Sequence, residues 1–327
     1  MPKESEIISL VRRLARPTDR VPVGIGDDAA VARLTAATDL IACSDLSVEG
    51  VHFRIEWSDA WLIGRKSLAV TLSDIAAMGA EARFALISVA LPAALSSEFI
   101  DQLFQGFFDI ANSYGVSIIG GDTSGSAQGL FIDTVVIGEA KSGRAVTRAG
   151  ARARDLIYVT GKLGASALGL SLLEQGRRLN ESGDRAQRDA MMKHLNPEPR
   201  LGAGKAVGDA AIATSMIDIS DGLSTDLSHI LDESRCGAII HAADIPVAES
   251  VRMLSPDRAL EFALHGGEEY ELLFTCQVDS RERVEKLSNE LSIPITLIGE
   301  ITAGTDLQLE RGGVLESLKP SGYEHLL

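Results

Sequence analysis

Aromatic residues make up only 5% of this 327-residue chain, too few for a large aromatic binding face. Positive charge is also short. Lys and Arg number 31 against 46 Asp and Glu, a net charge of −15, and the basic residues are dispersed. That argues against a surface for nucleic acid or anionic lipid, both of which need clustered positive charge. Small anionic ligands remain open where metal cations reverse the local field. Cys43, Cys236 and Cys276 form an odd, widely spaced set without a CxxC pair, as expected for unpaired thiols in a reducing cytoplasm. No apolar run reaches the length of a membrane span. Met1–Arg16 carries Glu4 and Glu6 within a helical apolar pattern and lacks the uninterrupted apolar core of a signal peptide. The expectation is a cytoplasmic protein.

Several catalytic signatures are missing too. There is no GxxxxGK[ST], no HExxH, no EF-hand loop and no GxSxG, and no His stands at zinc-ligand spacing from a Cys. Gly24-Ile25-Gly26-Asp27-Asp28-Ala29 has the spelling of a dinucleotide-binding loop, but its two carboxylates would repel a pyrophosphate. It reads better as a glycine turn offering Asp27 and Asp28 to a cation, with a plain solvated turn as the alternative.

What is present is a mixture of strand and helix patterns. Short β-branched or apolar runs predict strands at Leu40–Ser44, Phe84–Leu91, Phe131–Gly138, Leu156–Thr160, Met216–Ile219, Glu271–Cys276 and Pro294–Gly299. Helical periodicity predicts helices over Ala60–Met78, Ser96–Tyr114, Gly164–Gln175, Leu223–Glu233 and Ser280–Leu291. The class is α/β or α+β, and the length suggests two domains. The Gly- and Arg-rich stretch Lys141–Asp155 is the expected boundary, and the charged segment Gly176–Lys193 is expected to be a mobile loop.

Carboxylates recur beside small residues at predicted strand ends: Cys43-Ser44-Asp45, Gly120-Gly121-Asp122, and Asp218-Ile219-Ser220-Asp221-Gly222. Ligands gather at strand ends in α/β folds, although any one of these alone is more often a helix N-cap or a turn residue. Asp74 differs, lying inside the apolar helical stretch Leu68–Met78, where an unpaired carboxylate is costly. Asp28, Asp45, Asp74, Asp122, Asp218 and Asp221 together carry too much negative charge to cluster without divalent ions. Oxygen ligands without Cys or His spacing favour Mg²⁺, and Mg²⁺ with few carboxylates suggests phosphoryl transfer.

These segments resemble the thiamine-monophosphate kinase family. The resemblance rests on Gly26-Asp27-Asp28-Ala29, Asp45-Leu-Ser-Val-Glu-Gly-Val-His52-Phe53, Leu72-Ser-Asp74-Ile-Ala-Ala-Met-Gly79, Gly120-Gly-Asp122-Thr, Asp218-Ile-Ser-Asp221-Gly222-Leu and Gly266-Gly-Glu268-Glu-Tyr270-Glu-Leu, in family order from about Glu4 to Tyr323. It implies a two-domain aminoimidazole-ribonucleotide-synthetase-like fold with mixed sheets flanked by helices. Residues 1–141 would form an α/β domain that binds metal and ATP and pairs with a second subunit, and residues 142–327 a domain closing over the ATP cleft. It further implies ATP-dependent phosphorylation of thiamine monophosphate with several Mg²⁺ ions on Asp28, Asp45, Asp74, Asp122, Asp218 and Asp221, helped by atoms of Cys43 or Ser44. Asp45, Asp74, Asp122 and Asp221 map to catalysis, and Gly121, Asp122, Arg148 and Ser220 to the nucleotide. His52, Glu268 or Glu269, and Tyr323 map to the thiamine end. Cys43 stands where the family often has Ser or Thr, Leu46-Ser47 is an uncommon variant, and Glu269 replaces a usual Asp. Rivals within the superfamily are selenophosphate synthetase and aminoimidazole ribonucleotide synthetase, and outside it a non-catalytic metal-dependent nucleotide sensor. The absence of a reactive N-terminal Cys weighs against the first, and the GGEEYEL segment and Gly322-Tyr323 against both synthetases.

Overall fold

The computed structural model describes residues 4–16, 18–22, 25 and 30–323. The chain divides into two compact units, Met1–Ile75 with Ala80–Gly143, and Ala76–Gly79 with Arg144–Leu327. The Gly26–Ala29 turn, with Asp27 and Asp28, lies outside the described residues.

The first unit runs α1 (Glu4–Leu14), β1 (Thr38–Val48), α2 (Ala60–Ala77), β2 (Glu81–Pro92), α3 (Ser97–Ser113), β3 (Ser117–Gly120), β4 (Thr123–Ser126) and β5 (Phe131–Lys141). Among the described residues these strands form a mixed sheet in the order β1-β5-β2-β3, with β4 also on β2. β1 continues beyond the expected end at Ser44, because β5 pairs with it antiparallel from Thr38 opposite Lys141 to Val48 opposite Phe131. Asp45 therefore sits inside a strand, opposite Thr134, and not at a strand end.

Strand alternation splits β1 between two faces. Cys43, Asp45 and Ser47 are half-buried or buried, while Leu40, Ala42, Ser44 and Leu46 are exposed. α2 packs on the inner face. Its Leu68, Leu72 and Ile75 are fully buried, each such side chain stabilising the fold by about 2 kcal/mol. The Cys43 thiol donates to the Thr71 carbonyl of that helix at 3.3 Å. α3 starts at Ser96, whose hydroxyl accepts the Phe99 N–H, and buries Ile100, Leu103, Phe104, Phe107 and Phe108.

The second unit begins with β6 (Leu156–Thr160), α4 (Ala165–Glu174), α5 (Arg185–Leu195), α6 (Leu201–Asp209), β7 (Ala213–Asp218), α7 (Leu223–Ser234) and β8 (Gly237–His241). It continues through α8 (Glu249–Leu254), α9 (Ala259–His265), β9 (Leu272–Cys276), α10 (Arg281–Leu291), β10 (Ile295–Thr302), β11 (Leu307–Arg311) and β12 (Val314–Ser317). Its strands form a mixed sheet in the order β12-β11-β8-β10-β6-β9-β7. Ile157, Val159, Ile217, Leu273 and Ile298 of the sheet pack with Leu223, Leu227 and Ile230 of α7 in one core. The segment expected to be a loop, Gly176–Lys193, instead contains most of α5. Asp184 caps that helix by accepting the Ala186 N–H at 2.8 Å, and Ala186, Ala190 and Met191 are buried. Its few apolar residues fall on one face, so a charged composition concealed a helix.

Candidate active site

Two clusters of carboxylates emerge, one in each unit. In the first, Asp45 hydrogen-bonds Thr71, and its Oδ2 is buried without a hydrogen-bond partner among the described residues. Burial pushes its carboxyl above the usual range, and the charge of Asp133 adds to this. The Thr71 hydroxyl meets that of Thr134 at 2.5 Å, and Thr134 donates to the Ser67 carbonyl at 3.2 Å. Cys43 lies beside Asp74 and Asp45; burial, then the charges of those two aspartates, raise its thiol pKa strongly. The cluster thus joins Cys43, Asp45 and Asp74. The Ser44 side chain points to the opposite, exposed face.

Asp122 follows β3 and is exposed; its carboxylate accepts the Thr123 N–H at 2.9 Å, and its carbonyl accepts the Val89 N–H at 2.9 Å. Gly121 before it has φ +150°, and a Cβ there would stand 1.7 Å from the Ile87 carbonyl oxygen. Only glycine lets this turn lie flat against β2. Ile87 pairs with Thr134, which pairs with Asp45, so Gly121 and Asp45 share one row across the sheet, roughly 14 Å apart at about 4.8 Å per strand. His52 sits just past β1, with Nδ1 accepting the Val48 N–H at 3.0 Å. The Lys66 ammonium, largely buried, donates to the His52 carbonyl at 3.5 Å.

In the second unit β7 ends on the buried Asp218, and the turn Ile219–Gly222 leads into α7. Asp226, in the first turns of α7, reaches back over this turn. Its Oδ2 accepts the N–H groups of Ser220 at 3.1 Å, Asp221 at 3.1 Å and Gly222 at 3.0 Å. Burial, then the charges of Asp218 and Asp221, push its carboxyl up to about 8, against the opposing pull of those N–H groups. Ligand atoms of Asp221, Asp226 and His229 lie within 4.8 Å of one another. Sequence reasoning missed Asp226 and His229. Their signal is an acidic residue four positions into a helix that follows a carboxylate-bearing turn.

The segment Gly266–Glu271 is zipped to the same turn. Glu268 N–H donates to the Ser220 carbonyl at 2.7 Å, and Tyr270 N–H to that of Ile219 at 2.8 Å. Both Glu268 and Tyr270 have positive φ, +59° and +51°, a conformation that costs about 1 kcal/mol or more per non-glycine residue. The three glutamates of the segment take different places. The Glu268 side chain is 26% exposed and meets His194 Nδ1 at 3.1 Å. Glu269 is wholly buried against the start of α4, its Oε1 accepting the Ser166 N–H at 2.9 Å while Oε2 makes no hydrogen bond among the described residues. Burial pushes its carboxyl up to about 7, outweighing the nearby Lys193 charge. Burial also opposes the charge of Glu271, but Lys193 at 2.9 Å and Arg200, donating twice at 2.6 Å, hold its carboxyl below the usual range. Of the two candidates for substrate contact, Glu268 is therefore the one that solvent reaches.

The C-terminal segment returns to this turn. Tyr323 N–H donates to the Asp221 carbonyl at 3.1 Å, and Gly322 N–H to the Thr225 hydroxyl at 3.0 Å. A Cβ at Gly322 would stand 2.0 Å from the Asp221 carbonyl oxygen. The Tyr323 side chain is 53% exposed beside Asp221. Arg148 is exposed in the strand-free stretch before β6, its carbonyl accepting the Ser234 hydroxyl at 3.2 Å. The second unit thus gathers Asp218, Ser220, Asp221, Glu268 and Tyr323 around one turn.

The chain has two mixed-sheet units, and family models of the AIR synthase related proteins match it. The N-terminal domain of that family matches residues 26–140 and the C-terminal domain residues 152–312. The chain is 38% identical over 308 residues to the thiamine-monophosphate kinase of Escherichia coli K12, covering 93% of this chain and 92% of that one. The crystal structure of thiamine-monophosphate kinase from Stenotrophomonas maltophilia K279a aligns with a TM-score of 0.87 at 35% identity, covering 94% and 96% of the two chains. AaThiL complexed with AMPPCP and TMP aligns at 0.79 and 28% identity, covering 99% and 97%. The chain belongs to the thiamine-monophosphate kinase family.

Proposed function

We propose that this protein transfers the γ-phosphoryl group of ATP to the phosphate of thiamine monophosphate, giving thiamine diphosphate and ADP. The observation that carries this reading is the crowding of carboxylates in both clusters. Asp45 keeps a buried oxygen that makes no hydrogen bond among the described residues, and burial, then the charges of Asp218 and Asp221, push the neighbouring Asp226 carboxyl up to about 8. Such groups fit divalent cations, which phosphoryl transfer from ATP requires. The relative solved with AMPPCP and TMP supports the choice of nucleotide and acceptor.

Mg²⁺ would be held by Asp28, Asp45, Asp74, Asp122, Asp218 and Asp221, with Cys43 or backbone atoms of Ser44 assisting. When bound it neutralises charge on the phosphate oxygens. Asp45, Asp74, Asp122 and Asp221 form the catalytic set. The Gly121 backbone, held flat against β2, contacts the nucleotide, and Ser220 and the forked donors of Arg148 hold its phosphates. Glu268, His52 and Tyr323 orient the thiamine end, while Glu269 supports the segment from within. The acceptor is a phosphate monoester with a second pKa of about 6, so it is mostly dianionic at neutral pH and needs no strong base. Transfer is direct and in line, since positioning and charge neutralisation supply the catalysis.

We also propose a cytoplasmic homodimer. No helix among the described residues is long and apolar enough to cross a membrane, and Cys43, Cys236 and Cys276 are free thiols. On the outer face of β1, Leu40 and Leu46 are 54% and 55% exposed, with Phe131 of β5 at 37%. An apolar sheet face of this kind suits a second subunit. Separation of thiamine, its monophosphate and its diphosphate after incubation with ATP and Mg²⁺ tests the activity.

A further inference from the structure

The segment Lys193-His194-Leu-Asn-Pro-Glu-Pro-Arg200 grips the Gly266–Glu271 segment at two points. Lys193 and Arg200 bind the wholly buried Glu271. His194, in the last turn of α5 and 2% exposed, places Nδ1 at 3.1 Å from Glu268 Oε2. The same nitrogen lies 3.3 Å from the hydroxyl of Ser166 in α4. An ionised carboxylate only accepts hydrogen bonds, so with Glu268 ionised this contact requires the proton on Nδ1 of His194. Glu268 itself is held at φ +59° with its N–H on Ser220. Its backbone is thereby fixed by the turn that carries Asp221, and its side chain is aimed by a buried imidazole.

We propose that His194 is a positioning residue for substrate recognition: its Nδ1–H fixes one oxygen of Glu268 so that the other faces the amino group of the pyrimidine ring of thiamine monophosphate. This rests on the reading of Glu268 as a substrate contact. The geometry separates the two roles, because His194 is buried and Glu268 is partly open. A carboxylate held at one oxygen loses less rotational freedom on binding than a mobile one, so the effect falls on substrate affinity. Lys193 and Arg200 do not share the role, since their carboxylate points inward.

The test compares two amide substitutions by steady-state kinetics with both substrates. Asn places its side-chain N–H near the position of Nδ1, whereas Gln places it near that of Nε2. His194→Gln should raise KM for thiamine monophosphate about tenfold, with KM for ATP and kcat nearly unchanged, and His194→Asn should restore most of the loss. His194→Gln combined with Glu268→Gln should be no worse than Glu268→Gln alone, because one residue acts through the other. Equal effects of Asn and Gln, or a parallel rise in KM for ATP, would overturn the proposal. Should Glu268→Gln raise KM for thiamine monophosphate while His194→Gln does not, the positioning role fails and the substrate contact stands. Should Glu268→Gln itself leave that KM unchanged, both fall together.

Discussion

Asp226 accepts the backbone N–H of Asp221, and the same oxygen also holds Ser220 and Gly222. One carboxylate thus sets the shape of the turn that presents the second unit's aspartates. Replacing Asp226 by Ala leaves three N–H groups without this acceptor and should destabilise the unit by about 1–3 kcal/mol. Turnover should fall more than the stability change explains at temperatures where the protein is folded. Paired thermal melts and kinetics check this, and full activity in a folded Asp226→Ala variant would exclude the positioning role.

Metal dependence follows from the crowding of carboxylates. Asp45→Asn removes a buried, partly unpartnered charge, so the metal-free protein should keep or gain stability at pH 8. Turnover should drop by about 10² or more, the usual loss for removing one preorganised electrostatic group. Adding Mg²⁺ with ATP should raise the melting temperature of the wild type, because ligands that bind the folded state stabilise it. That rise should shrink in Asp45→Asn.

Glu269 gives a pH signature. Its folded pKa of about 7 lies above its ordinary value of 4.5. Between those values the unfolded chain has released this proton while the folded chain still holds it, so raising the pH favours unfolding. The contribution reaches roughly 3 kcal/mol above pH 7. Glu269→Gln should flatten that part of the stability profile of the metal-free protein, measured by denaturant titration between pH 4.5 and 8.

Much of this site was legible because strand and turn signals flank the aspartates. Asp122 after Ile118-Ile119 and Asp218 after Met216-Ile217 lie where small residues follow apolar runs; in the structure Asp122 follows β3 and Asp218 ends β7. Asp45 stands out in the sequence beside Cys43-Ser44, but β1 runs on past the expected end at Ser44 to Val48. What fixes Asp45 is its register with Thr134, a pairing across 89 residues of sequence that no local pattern reveals. The grip of His194 on Glu268 was hidden for the same reason: α5 is mostly polar, and its anchoring contacts become visible only once α4, α5 and Gly266–Glu271 meet.

The two substrate ends should separate kinetically. Tyr323→Ala should raise KM for thiamine monophosphate several-fold with that for ATP little changed, and Arg148→Ala should do the reverse. Equal disturbance of both constants by both variants would contradict the assignment of Tyr323 and Arg148 to different ends.

The outer face of β1 predicts the assembly state. Leu40→Lys with Leu46→Lys places two charges on an apolar patch and should convert a dimer to a monomer by light scattering. A wild-type protein already monomeric at micromolar concentration would contradict the homodimer.

The most direct test is the identity of the phosphoryl acceptor. Purified protein with ATP and Mg²⁺ should convert thiamine monophosphate to the diphosphate with ADP formed one for one. Free thiamine should react poorly, because its hydroxyl stops one phosphate short of the γ-phosphoryl group and forfeits near-attack geometry. Formylglycinamidine ribonucleotide and selenide serve as superfamily controls. Product from either control and none from thiamine monophosphate would contradict the account.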